Sequence, residues 1–241
     1  MPLDKANESK ASLKNWIPLG LLMLGLGAFF YFDLGRYLSF EALREHRDSL
    51  LNWKEAHLAA AILSFMGLYI IAITFSVPGA VFITLLGGFL FGPILGTLLV
   101  VVSATLGACI IFLVVKTSLG SFLKTKTTAW FDKMQAGFEQ NSFNYLLSIR
   151  LVPLFPFWAV NIIPALLNMP LRTYALATFL GIIPGSFVYV LVGNGLGAVL
   201  DKNETPNLSV LFEPTVLIPI LCLAGLSLLP ILYKRYKKAH D

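Results

Sequence analysis

The stretch SVPGAVFITLLGGFLFGPILG, residues 76–96, holds an apolar segment too short to cross a bilayer and fenced by proline at both ends. It follows Val77-Pro78 and closes on Gly92-Pro93, so the segment Gly79–Gly92 has 14 residues. A hydrocarbon core ~30 Å thick needs about 20 helical residues, and shorter apolar runs suit re-entrant or interfacial segments. A second segment repeats the pattern: Val152-Pro153, the 16 residues Leu154–Met169, then Pro170 opening the next apolar run. Two Gly/Pro-interrupted apolar segments at corresponding places in two halves are the sequence mark of an inverted-repeat transport site. The expected fold is therefore an all-α polytopic membrane protein with two opposed re-entrant helical hairpins, at about residues 78–92 and 153–169.

The rest of the chain agrees with that reading. Of 241 residues 57% are hydrophobic and 13% charged, where soluble domains carry about 25% charged residues. Five runs are long enough to span: Trp16–Leu34, Leu58–Ser76, Ile94–Val115, Tyr174–Val192 and Thr215–Tyr233. This leaves residues 1–56 as an anchor helix and amphipathic linker, 57–195 as the core, and 196–241 as a loop, last helix and basic tail. No separate catalytic domain fits. Three lysines precede the first run, but at 19 residues the run exceeds the ~7–15 of a signal-peptide core, and Phe29-Phe30-Tyr31-Phe32-Asp33 offers no small-residue cleavage site. An uncleaved anchor is expected.

The net charge is +5, with the basic residues in loops and tails, which suits an anionic leaflet better than nucleic acid. If neither short segment crosses, Arg36–Lys54, Lys116–Lys133 and the tail Lys234-Arg235-Lys237-Lys238 share one side, with twelve Lys/Arg between them. The other side holds Lys5, Lys10, Lys14 and Lys202, so the positive-inside rule puts the twelve in the cytoplasm. The first short segment then dips in from outside and the second from the cytoplasm, their tips meeting near the midplane. The cost of this topology is an N-terminal tail with three lysines outside. The linkers Ser39–Ala56 and Phe122–Gln140 mix aromatic and basic residues and read as helices in the headgroup zone.

An ionisable residue inside a membrane core is a functional site by default, because burying it is costly. Arg150 stands between apolar runs, three residues before Pro153. Its planar fork can hold a lipid phosphate bidentately; the alternative is an arginine snorkelling from a helix end. Asn161 lies deep in the second short segment and needs a partner, either backbone freed near the prolines or substrate. Gly88, Gly92 and Gly96 repeat at four-residue spacing, as do Gly181 and Gly185, and should let helices pack backbone to backbone. The three histidines stand apart, Cys109 and Cys222 sit singly in apolar runs, and no nucleophile–base or phosphate-loop motif occurs. No enzyme activity, metal or cofactor is expected.

Pro78-Gly79, then Leu86-Gly87-Gly88-Phe89-Leu90-Phe91-Gly92 with Gly96 and Gly107-Ala108, then Arg150-Leu151-Val152-Pro153 with Pro156 and Asn161, resembles the DedA/VTT-domain superfamily over roughly residues 57–195. The branch it looks most like is the SNARE-associated, late-Golgi-vesicle-protein type, which is also widespread in bacteria. The resemblance implies two opposed re-entrant helices and lipid translocation: undecaprenyl phosphate or phosphatidylethanolamine in bacterial relatives, phospholipid scrambling in eukaryotic ones. It also implies that Arg150 is the family arginine before the second pair of prolines. Relatives of the transporter type place acidic residues near the first short segment; this chain reads Thr74-Phe75-Ser76-Val77-Pro78-Gly79-Ala80, with no carboxylate. Lys116 stands where many relatives have arginine, and reads as an interfacial charge of little consequence.

The expected function is movement of a phospholipid or polyprenyl-phosphate headgroup through a cavity between the short segments. Arg150, Asn161, Pro153 and Pro156 would meet substrate, and Pro78, Gly79, Gly87, Gly88, Gly92, Pro93 and Pro170 would shape the gap. The alternatives are a non-transporting scaffold for lipids or partner proteins and an ion or small-solute permease. The partners expected are membrane lipids, with homo-oligomerisation left open. Compact loops favour a bacterial inner membrane over a Golgi or ER membrane.

Overall fold

The computed structural model describes residues 16–77, 79–124, 141–151 and 156–195, and the single positions 214, 218 and 221. Pro78, Pro153, most of the linker at 122–140 and most of the expected last span, Thr215–Tyr233, lie outside the described residues. Every regular element described is helical: α1 Ile17–Tyr31, a 3-10 turn Leu34–Tyr37, α2 Phe40–Ala56, α3 Leu58–Thr74, α4 Ala80–Lys124, α5 Ser142–Leu151, α6 Phe157–Leu166 and α7 Leu171–Asn194. The protein is an all-α membrane protein.

Helix α2 forms as its amphipathic pattern predicts. Ser39 caps it by accepting from the Ala42 N–H at 3.2 Å, and Glu41 in the first turn and Lys54 in the last complement the helix dipole. Its apolar side, Phe40, Leu43 and Leu50, packs on Phe82, Leu85, Leu86 and Phe89 of α4. At His57 the chain bends by 120° into α3. Helix α3 runs 17 residues, about 26 Å at 1.5 Å per residue, and stops where Ser76 turns left-handed (φ 51°) ahead of Val77-Pro78. Helix α1 has 15 residues and buries none of them.

Residues 80–118 are long and apolar enough for a span of 39 residues, yet they do not form one rod. Gly92 breaks the helix with φ 75° and ψ −179°, and Pro93 follows it. A methyl group placed on Gly96 would lie 2.7 Å from the Gly87 carbonyl oxygen, whereas nine residues of straight helix rise about 13.5 Å. The arm 80–91 therefore doubles back along 93–124. Glycine is required at both points: Gly92 occupies a region that L side chains avoid, and Gly96 lets the arms touch backbone to backbone. The second short segment ends in a comparable way. Helix α6 stops at Leu166, Asn168 turns left-handed (φ 59°), and Pro170 opens α7.

The core is α4 against α7, with the long arm 93–124 running antiparallel to α7 and the short arm crossing its end. Phe112 stacks on Tyr174 with ring centroids 4.4 Å apart at one end, and Gly88 lies against the Val190 backbone at the other. Each helix that precedes a break crosses the helix that follows it at a glycine. Ile70 and Ile73 of α3 sit on Gly107, and Leu147 and Arg150 of α5 sit on Gly181. The sequence repeat is thus echoed in packing. Two helices among the described residues, α4 and α7, meet the length and hydropathy needed to cross a bilayer, and the bent pair α2–α3 can add a third.

Candidate functional site

A cavity of about 440 Å³ lies beside the first break, with Arg150 and Trp158 also in its wall. Ser76, Val77, Gly79, Ala80 and Thr84 wall it from the first break, Ala104 and Ala108 from the long arm of α4, and Trp158 from α6. Helix α7 contributes Thr178, Ile182, Gly185, Ser186 and Tyr189, and α5 contributes Arg150. The volume suits a polar group of small-molecule size.

Arg150 is tied down on one side. Its Nη2 donates to Asn161 Oδ1 at 2.7 Å and to the Tyr174 hydroxyl at 2.9 Å, and that hydroxyl donates to Asn161 Oδ1 at 3.1 Å. The guanidinium carbon also stands 5.6 Å from the Tyr174 ring centroid, a cation–π distance. Arg150 Nε and Asn161 Nδ2 have no hydrogen-bond partner among the described residues. A guanidinium has five donors, and the triangle uses only the two on Nη2.

Among the described residues no carboxylate pairs with this charge. The chain has no Asp or Glu between Glu55 and Asp132, nor between Glu139 and Asp201, so α3 to α7 contain none. A buried cation without a counter-ion is costly unless something anionic meets it. The geometry therefore offers a preoriented positive fork on the wall of a cavity, a group whose chemistry suits a phosphate or carboxylate.

The neighbouring wall is neutral and mainly apolar, with a few hydroxyls. The Tyr69 hydroxyl and Thr84 Oγ1 are 2.9 Å apart and buried, joining α3 to the short arm of α4, and Thr84 also donates to the Ala80 carbonyl at 3.1 Å. Ser76 Oγ has no partner among the described residues.

The structure places the expected site residues unequally. Arg150 is on the wall, and its contacts with α6 and α7 replace the snorkelling alternative. Asn161 does not line the cavity; fully buried, it stands behind Arg150 and holds it. Pro156 is exposed at the N-cap of α6 and does not reach the wall. Gly79, with φ 94°, lines the cavity, whereas Gly87 packs on Phe65 and Val100 and Gly88 on Val190 and Asn194. Gly185 faces open space and the cavity instead of a helix, so only Gly181 of that pair does packing.

Sequence reading missed Tyr174 and Tyr69. The available signal was a phenol hydroxyl deep in an apolar run, which needs a partner. It also undervalued Lys116, whose Nζ donates to the Met169 carbonyl at 3.1 Å and pins the turn after α6.

Comparison with known proteins agrees with this architecture. The VTT domain matches residues 77–195, the interval holding both breaks and Arg150. Transmembrane protein 41B of Gallus gallus is 28% identical over 193 residues, 78% of this chain and 69% of the relative. The human protein of that name is also 28% identical, with 64% of its length covered. An uncharacterized membrane protein of Arabidopsis thaliana is 32% identical over 199 residues, 80% of this chain and 66% of the relative. The chain thus spans about two thirds of the curated relatives it matches. No solved structure matches it. With the domain match lying over the paired breaks and these relatives aligned along most of its length, the chain belongs to the DedA/VTT-domain family of membrane proteins.

Proposed function

We propose that this protein moves phosphate-bearing lipid headgroups between leaflets through the cavity beside its first break, with Arg150 engaging the phosphate. One observation carries the reading: a guanidinium anchored through Nη2 stands on the wall of a 440 Å³ cavity in helices that contain no acid to neutralise it. The breaks set irregular backbone at depth, which a bilayer protein tolerates where it lines a polar cavity. In this reading the two segments enter from opposite leaflets, and Asn161 and Tyr174 orient Arg150. No bond is made or broken, so the protein acts as a transporter and its partners are membrane lipids.

The absence of carboxylates from α3 to α7 supports downhill exchange over proton-driven transport, since the usual intramembrane proton relays are built from acidic and histidine side chains. Compact loops support a bacterial inner membrane, with a Golgi or ER membrane as the alternative.

The test is headgroup exchange in liposomes reconstituted with wild type, Arg150→Ala, Arg150→Lys or no protein. We expect wild type to accelerate exchange and both variants to lose it by about tenfold or more, since lysine keeps the charge without the fork. Equal rates in all four would leave a non-transporting scaffold, and solute uptake without lipid exchange would leave a permease.

A further inference from the structure

Resting on that lipid-exchange reading, we infer that the cavity selects headgroups of single negative charge, a phosphodiester carrying a neutral hydroxylated substituent, over zwitterionic headgroups that carry an ammonium. The juxtaposition behind this is one cation that no carboxylate among the described residues meets, and a mainly apolar wall whose other polar groups are neutral hydroxyls. Among the described cavity-lining residues Arg150 supplies the only charge, and Ser76, Thr84, Thr178, Ser186 and the two tyrosines Tyr69 and Tyr189 supply hydroxyls.

A phosphate paired with Arg150 neutralises the site. If that phosphate belongs to phosphatidylglycerol, a phosphodiester of single charge, nothing charged is left over, and the glycerol hydroxyls of the lipid can bond to Ser186 or Tyr189 on the wall. If it belongs to phosphatidylethanolamine or phosphatidylcholine, an ammonium must also leave water. The helices offer it no carboxylate, because none occurs from residue 56 to 131 or from 140 to 200. The aromatic walls, Tyr69, Trp158 and Tyr189, offer a weaker substitute, since a cation–π contact returns less than an ammonium loses on desolvation. Arg150 also repels the ammonium through the same low-dielectric space.

The experiment compares acyl-chain-labelled phosphatidylglycerol, phosphatidylethanolamine and phosphatidylcholine with identical chains, each at trace level in neutral host vesicles containing the wild-type protein. The expected result is exchange of phosphatidylglycerol about tenfold faster than of either zwitterion. Ser186→Asp, beside Gly185 where there is open space, should narrow or invert that ratio by giving the ammonium a counter-ion. Because that variant can fail to fold, a second measurement uses wild type alone: soluble glycerol phosphate should slow exchange at concentrations where phosphoethanolamine and phosphocholine do not. Equal exchange of the three lipids, with sensitivity to Arg150→Ala retained, would overturn the selectivity while leaving lipid movement intact. Exchange of none of them would overturn the underlying reading instead.

Discussion

Arg150 Nη2 and Asn161 Oδ1 meet at 2.7 Å, joining the last turn of α5 to the middle of α6 across the second break. The contact makes the amide the holder of the cation, and the two substitutions that change it should separate folding from transport. Asn161→Leu removes the acceptor and strands part of a buried guanidinium, which should cost about 2–4 kcal/mol and lower the melting temperature in detergent. Asn161→Asp keeps the acceptor and makes it charged, so the protein should fold with unreduced thermal stability. The added carboxylate should satisfy Arg150 and cut phospholipid exchange by about tenfold. Full exchange by a well-folded Asn161→Asp would mean that the free charge on Arg150 is not used.

Gly88 and Gly193 form a reciprocal backbone crossing between the short arm of α4 and the end of α7. A methyl on Gly88 would strike the Val190 carbonyl, and one on Gly193 would strike the Leu85 carbonyl. Backbone atoms cannot rotate aside as a side chain can, so Gly88→Ala and Gly193→Ala should each destabilise by about 1–3 kcal/mol. Gly20→Ala and Gly27→Ala, which meet nothing within 4 Å, should leave the melting temperature unchanged or slightly higher, because alanine favours helix. Size-exclusion thermal stability of the four variants checks the contrast.

The breaks were legible because the residues that make them are chemically unusual. Gly92-Pro93 pairs a left-handed position with a missing N–H, and Pro170 opens the helix that follows the second segment. Arg150 was legible as a charge with no business in hydrocarbon. Its partners were not: Asn161 is 11 residues away and Tyr174 is 24, and neither spacing follows a helical or strand period once a break intervenes. Periodicity likewise assigned Gly185 to packing when it faces the cavity, because a regular Gly-x-x-x-Gly spacing says which residues share a face and not what that face meets.

Transport coupling makes a different prediction. The helices from α3 to α7 contain no Asp, Glu or His, the side chains from which pH-dependent intramembrane relays are ordinarily built. Exchange rates should therefore stay flat between about pH 5.5 and 8. An imposed proton gradient should not accumulate lipid in either leaflet. A steep dependence, or accumulation against a gradient, would require a titrating group outside these helices and would contradict downhill exchange.

Opposite entry of the two short segments is the geometric core of the transport reading, and the structure indicates where to probe it. Leu85 is a poor reporter because it is 1% exposed, packed against Leu43 and the Gly193 backbone; a label there would report unfolding. Val81 and Trp158 are better, at 38% and 58% exposed, and both line the cavity. In a background with Cys109 and Cys222 replaced, Val81→Cys should react with a membrane-impermeant maleimide from one side of sealed vesicles. Trp158→Cys should react from the other, because the proposed topology opens the first segment outside and the second to the cytoplasm. Anionic lipid added beforehand should slow both reactions, since the two positions share one cavity wall. Labelling of both from the same face would remove the opposed arrangement and, with it, the route by which a headgroup could pass from one leaflet to the other.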